Sequence, residues 1–231
     1  MNDKDFSIFE NKIGISFKNK DILMRALTHR SFINENRQLG LEHNERLEFL
    51  GDAVLELIVT VHLFNAYPDK TEGELTAYRS GLVNTSMLSS VASTLSVNDF
   101  VLLSRGEAKD TGRARQYILA NTLEAIVGAI YLDQGYEKAQ KFIEENILTF
   151  RDDVVDKRLW QDAKSRFQES AQEHANTTPS YRVLEEVGPD HDRLFTVGVF
   201  LGKDQTAKGE GKSKQEAEQD AARMALEVKN W

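Results

Sequence analysis

Two hydrophobic rhythms divide the chain. Over residues 1 to about 150, segments rich in Leu, Ile, Val and Ala alternate with short polar breaks at helical spacing. Pro68 is the only proline in this half, and Pro68-Asp69 predicts the end of a long helix. Gly73 falls near the start of the next. The run from Ser104-Arg105-Gly106 to Thr111-Gly112-Arg113 predicts a polar loop. Residues 151–161, RDDVVDKRLWQ, are dominated by charge and predict a linker. Beyond them the rhythm changes. Residues 162–174 have the spacing of an amphipathic helix. Residues 179–187 and 193–201 alternate as strands do, with Phe195, Val197, Val199 and Leu201 on one face. Residues 205–210 predict a third, shorter strand. Over 213–229, Ala217, Ala221, Met224, Ala225 and Val228 form a helical stripe. The pattern predicts an all-α domain over 1–150, a linker over 151–161, and a small α+β domain (α-β-β-β-α) over 162–231.

The predicted helix beginning near His43 carries Glu45, Glu48 and Asp52 at i, i+3 and i+7, which places them on one face. Leu47, Leu50, Val54, Leu57, Ile58 and Val61 lie opposite and are expected in the core. Like charges at this spacing repel, and a hard divalent cation with oxygen ligands would relieve them. A solvated polar face is the ordinary meaning of acidic residues on a helix. Two neighbours weigh against it. Gly51 sits mid-helix, where it costs about 1 kcal/mol relative to Ala and so predicts close approach of another element. Phe49 lies beside the acidic face, not on the core stripe, and suggests a partner surface.

The most apolar stretch, residues 117–132, holds Asn121 and Glu124 at i, i+3, with small residues at Ala125, Gly128 and Ala129. A carboxylate in so apolar a helix is costly unless paired or metal-bound. Ligand and structural readings of Glu124 stand level on this pattern alone. Glu72, in Thr71-Glu72-Gly73-Glu74, reads locally as an ordinary first-turn acid. His29 and His43 read as structural.

In the second domain, Ser165, Gln168, Glu169 and Gln172 share a helix face opposite Phe167 and Ala171. Gln-rich faces of this kind suit hydrogen bonding to 2′-hydroxyls across the minor groove of A-form RNA. Ser213 with Glu216 predicts a capping box, yet Lys212 and Lys214 flank it and oppose the helix dipole. An anion at that helix end would justify both, with Lys208 adding to the positive field. Gly188-Pro189-Asp190-His191 forms the loop between the first two predicted strands, within reach of a second groove.

Charge alone argues against a polyanionic partner, because the formal net charge is −8. Residues 160–231 carry 10 Lys and Arg against 13 Asp and Glu, so binding there must be local. Cysteine is absent, which excludes disulfides and thiolate metal sites and fits a cytoplasmic location. The N-terminal MNDKDFSIFE lacks the apolar core of a signal peptide, and no apolar run is long enough for a bilayer. No membrane association and no small-molecule substrate are expected.

The run Asn44-Glu45-Arg46-Leu47-Glu48-Phe49-Leu50-Gly51-Asp52 resembles the signature of the bacterial ribonuclease III family. Thr28-His29-Arg30-Ser31 and residues 118–133 resemble further family segments, and Gly211-Lys212-Ser213-Lys214-Gln215-Glu216-Ala217-Glu218 resembles the double-stranded RNA-binding domain. The resemblance implies a homodimeric nuclease domain using Mg²⁺, with Mn²⁺ able to substitute, and one cleavage centre per subunit. It implies Glu48, Asp52 and Glu124 as metal ligands, and Glu45 and Glu72 as further acids of the catalytic valley. Asp52, Glu124, Glu45 and Glu72 are thus the expected catalytic set. Asn121 stands where many members have Asp, as a neutral fourth ligand. Phe49 is the expected dimer contact. RNA contacts are expected at Ser165, Gln168, Glu169, Gln172, His191, Lys208, Lys212, Ser213 and Lys214. The implied activity is cleavage of double-stranded RNA by metal-activated water, leaving 5′-phosphate and 3′-hydroxyl ends, in processing ribosomal and other structured precursors. A non-catalytic dimeric RNA-binding regulator is the alternative, favoured by Asn121.

Overall fold

The computed structural model describes residues 4–156, 162–189 and 193–231. They fall into two compact units, Met1–Trp160 and Gln161–Trp231. In the first unit the helices are α1 (Phe6–Ile13), α2 (Lys20–Ala26), α3 (Arg30–Glu35), α4 (Glu45–Ala66) and α5 (Glu72–Val83). They continue with α6 (Thr85–Thr94), α7 (Val97–Phe100), α8 (Arg113–Gln134), α9 (Tyr136–Asn146) and α10 (Arg151–Asp156).

The core forms where α4 packs along α8. Leu47, Val54, Leu55, Ile58 and Val59 meet Leu123, Ile126, Val127 and Ile130 in one apolar cluster. Glycine sets the separation of the two helices. A Cβ on Gly51 would lie 1.7 Å from the Glu124 carbonyl oxygen, and one on Gly128 would lie 2.3 Å from that of Leu47. The expected close approach at Gly51 is therefore with α8.

The expected core stripe of α4 is corrected in part. Leu57 and Val61 are exposed, and Leu50 only half-buried, whereas Leu55, Val59 and Leu63 are buried. The reason is a change of character along one face. Asp52, Leu55 and Val59 are related by i+3 and i+4 steps, so the row that is acidic in the early turns becomes apolar in the later ones. Leu57, Val61 and Phe64 instead form an exposed apolar row. The expected linker also changes. Residues 151–156 are helical, and Val154 and Val155 pack on the first core, so charge content misled the boundary. Residues 157–161 lie outside the described residues.

The second unit comprises α11 (Ala163–Ala175), β1 (Ser180–Val187), β2 (Leu194–Leu201), β3 (Asp204–Gly211) and α12 (Lys214–Lys229). The sheet is antiparallel in the order β1-β2-β3, with Val197 paired to Val183 on one side and Gly209 on the other. Phe167, Val197, Val199, Ala217 and Ala221 form its core, with Phe195 and Leu201 packed beside them as their alternation predicts. On α12 the buried set is Ala217, Ala221, Ala222, Ala225 and Leu226; Val228 is exposed and Met224 half-buried. The helix is rotated from the expected stripe because β3 lies against Ala217 and Ala221. A Cβ on Gly209 would come within 2.0 Å of the Ala221 nitrogen.

Candidate active site and nucleic-acid interface

Asn44 anchors the start of α4. Buried, it donates its side-chain amide to the Ala26 carbonyl (3.2 Å) and its backbone N–H to Thr28 (2.9 Å). Glu45 and Glu48 then occupy the first helical turn, where the dipole favours carboxylates. Glu45 stands at the rim, paired with Arg30 at 3.2 Å and lying 3.7 Å from the His43 imidazole. Glu48 and Asp52 follow on the same face.

The Gly51–Gly128 crossing lays α8 against this face and delivers Asn121 and Glu124 to it. Burial pushes the Glu124 carboxyl up to about 8, with Asp52, Glu48 and Glu56 adding repulsion in that order. Burial also raises Glu48, and Glu45 and Asp52 repel it further, while a hydrogen bond from the Asn121 amide acts against the rise. The structure thus brings Glu45, Glu48, Asp52, Asn121 and Glu124 into one electrostatic neighbourhood. Among the described residues, Glu124 and Asp52 have no basic side chain paired with them. No three His, Cys, Asp or Glu side chains among the described residues are yet grouped closely enough to hold a metal ion. Carboxylates that face each other without a cation repel, and their oxygens stand apart. The donors are oxygens of carboxylates and one amide, a set that fits a hard divalent cation.

Glu56 belongs to this neighbourhood and the sequence pattern missed it. Its i+4 step from Asp52 was the available signal. Glu72 is the converse. It opens α5, accepts a hydrogen bond from the Thr76 hydroxyl (3.3 Å), and lines a cavity with Thr60, Phe64, Lys70 and Arg79. Within one chain it is not brought to the other acids. Phe49 is 80% exposed. His29 caps α3, its Nδ1 accepting the Ser31 N–H (3.3 Å), and burial lowers its pKa. That geometry assigns it to local structure.

In the second unit, Ser165, Gln168, Glu169 and Gln172 all lie on the exposed face of α11. The Ser165 hydroxyl donates to Asp162 (2.6 Å), and Gln172 donates to Asn176 (2.6 Å). Ser213 caps α12 by accepting the Glu216 N–H (3.2 Å). The return arm differs from the expected box, since Glu216 accepts from the Lys212 N–H (3.0 Å), one residue upstream of the cap. Lys212 and Lys214 are exposed at this helix end, Lys208 is exposed on β3 opposite Gly198, and the Lys214 ammonium sits 5.7 Å from the Phe195 ring centre. His191 lies outside the described residues.

Among the described residues no helix is long and apolar enough to cross a membrane. Residues 19–150 match the family described as Ribonuclease-III-like, and residues 163–229 match the double-stranded RNA binding motif. Ribonuclease 3 of Desulforamulus reducens is 44% identical over 97% of this chain and 92% of its own length. Ribonuclease 3 of Bdellovibrio bacteriovorus is 45% identical over 99% and 98%. A crystal structure of the ribonuclease III nuclease domain from Campylobacter jejuni matches with a TM-score of 0.57 at 39% identity, covering 63% of this chain and 95% of that one. A second structure of that domain, concerned with flexibility in a region involved in dimer formation, matches at 0.58. The helical unit with its acidic α4–α8 face, the appended RNA-binding motif and relatives matched over more than nine-tenths of their length agree: the chain belongs to the ribonuclease III family.

Proposed function

We propose that this chain is a divalent-metal-dependent endoribonuclease that cuts double-stranded RNA as a homodimer, with Mg²⁺ as the metal and Mn²⁺ able to replace it. The observation that carries this is the convergence of Glu48, Asp52, Glu124 and Asn121, with the Glu124 carboxyl pushed up to about 8 by burial first and by its acidic neighbours second. A site that stores like-charge repulsion in its own fold is built for a cation. When bound, the metal supplies Lewis-acid activation of water and of the 3′ leaving oxygen. Glu48, Asp52 and Glu124 would hold it, and the Asn121 amide oxygen would offer a neutral ligand beside them. Glu45 extends the acidic rim beside Arg30. Glu72, separate within one chain, joins the valley only if a second copy brings it there. Cleavage breaks the bond between phosphorus and the 3′ oxygen, leaving 5′-phosphate and 3′-hydroxyl ends.

The dimer reading rests on Phe49, Leu57, Val61 and Phe64, whose exposure along one side of α4 is larger than solubility favours. Duplex recognition is assigned to Ser165, Gln168, Glu169 and Gln172 on α11, to Lys208, Lys212, Ser213 and Lys214 around α12, and to the β1–β2 loop with His191. The substrates fitting this shape-based recognition are structured precursors of ribosomal and other RNA, met in the cytoplasm.

Long duplex RNA, incubated with Mg²⁺ or with chelator, tests the proposal. Cutting is expected only with Mg²⁺, and Glu124→Ala abolishes it while duplex binding in chelator persists. Binding without cutting by the wild type would instead establish the non-catalytic regulator that Asn121 favours.

A further inference from the structure

Trp231 lies beyond the segment matched by the RNA-binding motif, 163–229. After α12, Asn230 takes the left-handed conformation (φ 54°) and turns the backbone back onto the domain. The Trp231 N–H then donates to the Leu226 carbonyl at 3.0 Å. Its indole stacks on Phe167, with ring centres 5.7 Å apart, and lies 5.1 Å from the His174 imidazole. The Arg166 guanidinium donates to the Trp231 backbone oxygen at 3.1 Å. Phe167 and His174 are two turns apart on one face of α11. One side chain therefore grips α11 along two turns while its backbone is fixed to α12.

The other end of α11 is held differently. Lys164 pairs with Glu218, and the Gln219 amide donates to Asp162 at 2.9 Å. These ties are polar and only partly buried, and such contacts contribute modestly. Aromatic stacking is the stronger constraint. It adds to the burial of Phe167 and Ala171 in fixing the rotation of α11 about its own axis, and that rotation decides where Ser165, Gln168 and Gln172 point relative to Lys212 and Lys214.

We propose that Trp231 is a positioning residue for RNA recognition, clamping α11 to α12 so that the Gln-bearing face and the lysines address one duplex together. The inference rests on the reading that this domain binds duplex RNA. It makes a distinction that loss of folding would not. The α11 face carries mostly uncharged groups, which read 2′-hydroxyls; the lysines of α12 read phosphates. Releasing the clamp weakens the first and spares the second.

The test uses the full chain in chelator, with an RNA duplex and a DNA duplex of the same sequence, each titrated over a range of salt. Trp231→Ala is expected to weaken RNA binding about tenfold while DNA binding stays within about twofold. The slope of log affinity against log salt remains that of the wild type. Trp231→Phe, which keeps a stacking ring, restores most of the preference for RNA. If Trp231→Ala loses both duplexes and its salt slope falls, the domain has unfolded, and His174→Ala then decides. That variant keeps the Phe167 stack and removes the second turn of the grip, and it is expected to lose part of the RNA preference at unchanged slope. Trp231→Ala or, in that case, His174→Ala with the full wild-type preference for RNA overturns the proposal. A wild type that does not bind RNA duplex in chelator overturns the underlying reading as well, so the two failures are distinct.

Discussion

The α4–α8 pair and the β3–α12 pair use glycine in the same way and to opposite electrostatic effect. Each places a glycine where a Cβ would collide with neighbouring backbone, at Gly51 and Gly128 in one case and at Gly209 and Gly211 in the other. In the first pair the close approach gathers carboxylates, and Glu124 is driven up to about 8. In the second it holds a helix whose N-terminal end is flanked by Lys212 and Lys214, both exposed. Both regions break a local charge rule, and both would be relieved by a ligand of opposite sign, a cation in one and a phosphate in the other. The difference lies in depth. Glu48 and Glu124 are partly buried and are repelled by their acidic neighbours, whereas the lysines are exposed and screened. The first site should therefore be sensitive to small structural changes and the second tolerant of them.

The largest effects should come from the glycines. Gly51→Ala places a methyl group against the Glu124 carbonyl and is expected to cost at least about 3 kcal/mol. Thermal melting should show the first unit lost and the second retained, with no cutting. Gly209→Ala reverses the pattern, because its Cβ meets the Ala221 nitrogen. If both variants melt like the wild type, glycine is not what sets either approach.

These contrasts bear on what could be read from sequence. The position of Gly51 foretold a close approach because a mid-helix glycine has a known cost, but not that its partner was Gly128 on α8. Periodicity located α4 and its acidic face, yet placed Leu57 and Val61 in the core. A helix that is acidic on one face early and apolar on that face later has no single stripe. Val154 and Val155 escaped because two adjacent apolar residues among charges give no helical period. The second unit was legible almost throughout, since strand alternation and the Ser213 cap are local signals. Trp231 was not, because its contacts with Phe167 and His174 join residues far apart in sequence.

Next in size is the acid at the centre. Glu124→Gln should lower the cutting rate by about a thousandfold or more, since it removes a charged ligand. It should also alter stability against pH without metal. The folded carboxyl is raised to about 8, so between the ordinary Glu value of about 4.3 and 8 the folded state holds a proton that the unfolded state has lost. Stability of the wild-type first unit should therefore fall as pH rises through that window, and Glu48 acts in the same direction. Glu124→Gln should fall less steeply, as melts from pH 4.5 to 8.5 in chelator would record. Parallel curves for the two proteins would mean that Glu124 is not held neutral.

On the basic side the expected effects are smaller. Lys212→Gln and Lys214→Gln together should weaken duplex binding about tenfold and reduce the salt slope by roughly 1 to 2, the loss of two phosphate contacts. Cutting at saturating RNA should stay near the wild-type rate. A fall in that rate with unchanged affinity would move these lysines from binding to chemistry and erase the contrast between the regions.

The smallest change tests the comparison most finely, because it alters one charge and almost no volume. Asn121 donates a hydrogen bond to Glu48, a neutral group beside the acids. Asn121→Asp replaces that bond with repulsion, so the metal-free first unit should melt at a lower temperature. The same added charge should draw a divalent cation more strongly, so half-saturation in a Mg²⁺ titration of cutting should shift to lower concentration, by about threefold to tenfold. The two readouts move in opposite directions for one reason. A drop in melting temperature without a change in half-saturation would show that position 121 faces the carboxylates but not the cation, which would leave Glu48, Asp52 and Glu124 as the whole ligand set.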